Sequence, residues 1–215
     1  MTETGPSTLR LLLVPTLVTL LVSVARLMAE VQGRVTNLSG GRGALLGITW
    51  LVFVFGGWFG WRLARLGSAP RVRRAWLWSL LSLVAIVGTA AWRFAQVDLQ
   101  DRSETAFAAL RGHVLVIAAV TTAAGLLQFV VWPRLAAVLL GYGLLARATV
   151  LALTWLAKQQ GWDTHYTKFG PAGIERDLPA TMLSATIAQI GFWVPFTIVG
   201  GMVVGCLVGG RRRAP

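Results

Sequence analysis

A charged side chain in the middle of an apolar helix is the first feature of this sequence that could do chemistry. The stretch from Arg134 to Ala157, RLAAVLLGYGLLARATVLALTWLA, holds Arg147 thirteen residues from one end and ten from the other. At 1.5 Å per helical residue the guanidinium sits roughly 15 Å from the nearer end, close to the middle of a hydrocarbon core about 30 Å thick. That is too deep for the side chain to reach an interface, and a lone charge there costs at least roughly 2.5 kcal/mol. Arg147 must face protein, water or a bound anion. Two other arginines stand nearer the ends of apolar stretches: Arg26, with Glu30 one turn on, and Arg93, followed by Gln96. If Arg26 and Glu30 satisfy each other as an i,i+4 pair, two guanidinium groups are left for a carboxylate or phosphate, either of which fits arginine's fork. In the simpler arrangement Arg26 and Arg93 reach water and Arg147 pairs with Glu30, with no ligand needed.

The two histidines, His113 and His165, offer a different chemistry. Asp163 and Tyr166 flank His165, and two imidazoles with a carboxylate can hold a metal or move a proton. No H-E-x-x-H or comparable spacing supports this, and a capping or hydrogen-bonding role is the simpler reading. G-x-S-x-G, Walker A and CxxC patterns are also absent, which leaves hydrolase, NTPase and thiol-redox chemistry without support. The one cysteine, Cys206, lies in an apolar run, so neither a disulfide framework nor a cysteine metal site is expected. No cofactor and no metal are expected.

The elements that must position these residues are membrane helices. Of the 215 residues 55% are hydrophobic and 13% charged, a balance typical of a chain made mostly of spans. Six stretches are long enough to cross, at about 8–31, 44–66, 75–97, 106–131, 134–157 and 182–208. The expected fold is therefore all-α, one transmembrane domain over 1–215 with six helices. The net charge of +12 comes from arginines between the apolar stretches, where the positive-inside rule accounts for them without nucleic acid. The links GSAPRVRRA and WPR and the end RRRAP are basic and hold no acid, whereas the other links carry Asp98, Asp101, Glu104, Asp163, Glu175 and Asp177. Both termini are thus expected in the cytoplasm, with odd-numbered helices running outward. The first ten residues lack the pattern of a removable signal peptide, so the first helix is expected to stay.

Helical spacing then places polar faces. Thr19, Ser23, Arg26 and Glu30 share a face of the first helix, and Ser79, Ser82, Thr89, Arg93, Gln96 and Gln100 a face of the third. Gly143 and Thr154 flank Arg147 on the fifth. These stripes predict a polar interior between helices one, three and five that opens outward, capped by the loop 158–181 with its Pro171 and Pro179. Asp101 and Glu104 read as a helix start. Trp76, Trp78 and Trp132 on the inner side, and Trp155 and Trp162 on the outer, read as interfacial belts. Gly201, Gly205 and Gly209 form a ridge suited to close approach, either by Gly56 and Gly60 of the second helix or by another chain, and Pro195 should kink the last helix.

Gly161–Tyr166, GWDTHY, followed by a proline-containing loop and QIGFWVPFTIVGG, resembles a group of small bacterial six-helix membrane proteins with a G-x-x-T-H-Y outer loop. The likeness covers the last quarter of the chain. It implies a bacterial inner membrane and no particular activity. Three functional expectations follow. One is a binding or transport module, with Arg26, Glu30, Arg93, Gln96, Arg147 and His165 around an anionic solute or lipid headgroup; six helices with both ends inside also match the layout of vitamin-uptake binding components. Another is an accessory subunit, whose partner carboxylates meet the spare arginines and whose glycine ridge meets another chain or a second copy. The last is a membrane enzyme using His165, Asp163 and His113.

Overall fold

The computed structural model describes residues 8–38, 47–97, 104–168 and 176–210. It is all-α. The helices are α1 (Thr8–Val31), α2 (Leu51–Arg65), α3 (Ala75–Phe94), α4 (Glu104–Val131), α5 (Pro133–Gln159) and α6 (Leu178–Gly209), with a 3₁₀ turn at His165–Thr167 between the last two. Five of them are long and apolar enough to cross a membrane. α2 is shorter than the stretch expected over 44–66: it has 15 helical residues, preceded by a bend and turn at 48–50. Its rise is about 22 Å, short of a core about 30 Å thick. The expected start near residue 44, like Asp98, Gln100, Asp101, Pro171, Glu175 and the RRRAP end, lies outside the described residues. The bundle's outer surface carries Leu13, Leu21, Val84, Leu115, Leu126 and Leu183, each between 58% and 67% exposed. Apolar surface on that scale suits lipid and not water. The protein is a helical integral membrane protein.

The centre of the bundle is α6, which packs against α2, α3, α4 and α5, while α1 lies chiefly on α5. Two features of α6 make this possible. Its glycine ridge lets α2 come into backbone contact: a Cβ on Gly56 would run into the backbone of Gly201, and one on Gly60 into that of Gly205. In this chain, therefore, α2 occupies the ridge. The second feature is a π-helical turn, Gln189–Trp193, directly before the buried Pro195. Proline has no N–H for the carbonyl four residues back, and the wide turn takes up that mismatch. The start of α6 moves back from 182 to Leu178 because Asp177 caps it, accepting the Ala180 N–H at 2.9 Å, with Pro179 in the first turn.

The polar stripe of α3 has a different use from the one expected. Ser79 donates to the Gln128 side-chain oxygen of α4 at 2.8 Å, and the Gln128 amide donates to Ser82 at 3.1 Å. The face joins α3 to α4 by neutral hydrogen bonds, as buried polar groups do between membrane helices. Trp132 is corrected too: it is 1% exposed and donates its indole N–H to Ser68 at 2.9 Å, so it belongs to the core and not to a belt. Trp76, Trp78 and Trp155 do lie at the surface.

Candidate functional site

The 4, 3, 4 spacing of Thr19, Ser23, Arg26 and Glu30 puts all four on the face of α1 that meets α5, and all are buried. Thr19 shares a 2.8 Å hydrogen bond with the Tyr142 hydroxyl of α5. Two turns further on, Arg26 Nε donates to Glu30 Oε1 at 2.6 Å. The same carboxylate receives a loop from the far end of the chain: the His165 backbone N–H donates to Oε2 at 2.8 Å, and His165 Nδ1 lies 2.6 Å from Oε1. A carboxylate only accepts, so the tautomer that fits is the one with its proton on Nδ1. Tyr166 anchors the loop from the next position, donating to the Ser23 carbonyl at 3.2 Å and packing among Leu27, Val150, Leu153 and Ala157.

The loop's other polar groups hold its outer edge. Asp163 accepts from the Asn37 amide at 2.8 Å and pairs with Lys168 at 2.8 Å. The Lys168 hydrogen bond is the main reason its carboxyl titrates below the usual range. Burial pushes His165 down despite the opposing pull of Glu30, and burial pushes Tyr166 up to about 12, with Glu30 adding to it. His165 therefore stays neutral at neutral pH, and the latch is a neutral imidazole on a carboxylate already shared with Arg26.

Arg147 lies deeper. It is fourteen residues from Pro133 and twelve from Gln159, and 4% exposed. Its Nη1 reaches Gln189 Oε1 at 3.4 Å, and its guanidinium carbon stands 5.0 Å above the Trp193 ring. Both partners belong to the π turn of α6. The contacts are one long hydrogen bond and a cation–π contact; Nε is buried with no partner. Among the described residues no carboxylate is within ion-pair distance of Arg147. Thr154, two turns along the same face, has a buried hydroxyl that is also unpartnered.

The structure thus brings together Arg26, Glu30 and His165, and sets Arg147 one layer below them under Tyr166. It does not bring Arg93 and Gln96 to the same place. Arg93 is on α3, which packs on α4 and α6; its guanidinium stacks 4.6 Å from the Trp92 ring, and Gln96 is exposed beyond the helix end. Nor do His165, Asp163 and His113 converge: His165 turns to Glu30, Asp163 to Asn37 and Lys168, and His113 Nδ1 is without a partner on α4. Among the described residues no cluster of three His, Cys, Asp or Glu side chains could hold a metal. Gln189 and Trp193 escaped the sequence reading, the only available signal being the proline two positions after Trp193. Comparison with protein-family models, curated proteins and solved structures finds no match.

Proposed function

We propose that the protein is a membrane binding or transport module in which Arg147 takes the carboxylate or phosphate of an anionic solute or lipid headgroup. The supporting observation is the mid-span guanidinium, 4% exposed, with an unpartnered Nε and no carboxylate on it among the described residues. A buried cation without a counter-charge is costly, and an anion from outside the chain removes that cost. Gln189 and Thr154 add neutral polar groups on either side, and π turns recur at functional sites. The Arg26–Glu30–His165 cluster serves as the latch that keeps the 162–168 loop over this layer. Basic links at one end and acidic links at the other support cytoplasmic termini, and the GWDTHY likeness supports a bacterial inner membrane.

The accessory-subunit reading uses the same observation, with a partner's carboxylate as the anion. One experiment separates them: purification in mild detergent, followed by thermal unfolding of wild type and Arg147→Ala against a panel of carboxylates, phosphates and anionic lipids. Saturable stabilisation of wild type by one class, absent in the variant, supports the binding module. Co-purification of a second polypeptide that Arg147→Ala releases, with no response to the panel, supports the subunit.

A further inference from the structure

The C-terminal ends of α2, α4 and α6 and the N-terminal ends of α3 and α5 lie together, on the opposite side of the bundle from the Glu30 latch. Arg71 N–H donates to the Val131 carbonyl at 2.8 Å, and Gly210 lies against Pro70, which ties the α2–α3 link to the ends of α4 and α6. The described residues at this end include Arg62, Arg65, Arg71, Arg73, Arg74 and Arg134 and not one acid. Arg62 and Arg65 turn back on their own helix, 5.8 and 5.0 Å from the Trp61 ring. Arg73 and Arg74 instead line an open recess of about 600 Å³ between the start of α3 and the end of α6, with Pro70, Val72, Trp76 and Leu207 as its apolar wall. Neither arginine has a carboxylate within ion-pair distance among the described residues.

We propose that this recess binds the headgroup of an anionic phospholipid. Two guanidinium forks suit a phosphodiester, and the first turn of α3, which has no side-chain cap, points the positive end of its dipole into the same space. The apolar wall decides for lipid over free phosphate. Pro70, Val72, Trp76 and Leu207 match the glycerol and first methylenes of a lipid and would be left uncovered by an inorganic ion. The recess also stands at the interfacial level, since Trp76 and Trp78 beside it are 40% and 52% exposed. Diffuse attraction of basic links to anionic headgroups needs no recess; a walled site takes one lipid, saturably, and chooses by headgroup. This site is separate from Arg147 and does not depend on what Arg147 binds.

The test is native mass spectrometry of the full chain in detergent, titrated with phosphatidylglycerol or with phosphatidylcholine. Wild type is compared with Arg73→Gln/Arg74→Asn and with Arg34→Gln at the far end. Asparagine is chosen because Arg74 has φ 52°, a left-handed conformation that asparagine tolerates. The expected result is one phosphatidylglycerol held in preference to phosphatidylcholine at this end, weakened roughly 10–30-fold in the double variant and unchanged in Arg34→Gln. Arg73→Gln alone, which leaves the backbone untouched, should show part of the same loss. Equal binding of the two lipids, phosphatidylglycerol binding that survives the double variant, or full displacement by millimolar inorganic phosphate would each overturn the proposal.

Discussion

Arg26 and Arg147 are 3% and 4% exposed, on two helices that pack together, and each has one buried nitrogen without a partner, but they differ in counter-charge. Arg26 lies one turn from the end of α1 and shares Glu30 with the backbone N–H and Nδ1 of His165. Arg147 is near the middle of a 27-residue span and has an amide, an indole ring and an unpartnered Nε. The first charge is balanced where it stands, and its balance also ties down a loop 135 residues away. The second is balanced by nothing among the described residues. Burial by itself therefore does not single out Arg147; burial without a counter-charge does. The Ser79–Gln128–Ser82 cluster makes the same point from the neutral side, since its groups satisfy one another across α3 and α4.

This contrast can be broken most sharply by removing each member in turn. Glu30→Leu leaves Arg26 unpaired and frees the His165 loop, and should lower stability in detergent by about 3–5 kcal/mol. Arg147→Met removes a cation that strands no carboxylate and only one long hydrogen bond to Gln189, and should change stability in ligand-free protein by at most about 1 kcal/mol, or raise it. Equal losses in thermal unfolding of the two variants would erase the distinction. Gln189→Glu sharpens it from the other direction, because it offers Arg147 a carboxylate within the chain. That variant should gain about 1.5–3 kcal/mol and lose its response to added anions.

The smallest effect concerns pH. Burial holds the His165 pKa below its unfolded value, so on acidification the unfolded chain takes up a proton before the folded one does. The stability His165 contributes is then present above the unfolded value of about 6.5 and lost as pH falls through the lower folded one. Thermal unfolding of wild type should weaken from pH 7.5 to pH 5.5, and His165→Gln should flatten that dependence. A wild type more stable at the lower pH would mean that the Glu30 charge outweighs burial.

How far these features could be read in advance follows from the distance over which each is determined. The α1 stripe is set by helical period alone, and was legible; the same period allowed the Arg26–Glu30 pair but did not decide it against an Arg147–Glu30 pair, which the structure does not form. So was the depth of Arg147, which needs only the length of its apolar stretch. The partners of both arginines were not, because His165 meets Glu30 and Gln189 meets Arg147 through packing between distant segments. Gln189 and Trp193 reach Arg147 from a π turn, whose register a period of 3.6 residues does not describe. Arg93 shows the converse error: its spacing placed it on a polar face of α3, but periodicity does not say which neighbour that face meets, and the neighbours of α3 are α4 and α6. The helix expected over 44–66 is shorter for a local reason, since among the described residues it begins at Leu51, after a bend and turn at 48–50.

The most direct test of the central claim is to weigh the protein with whatever it carries at Arg147. Native mass spectrometry of the detergent-solubilised wild type beside Arg147→Met and Gln189→Glu should show an anionic adduct on wild type that both variants lack. Wild type that flies without any adduct, or an adduct retained equally by all three proteins, would contradict the assignment of Arg147 as an anion site.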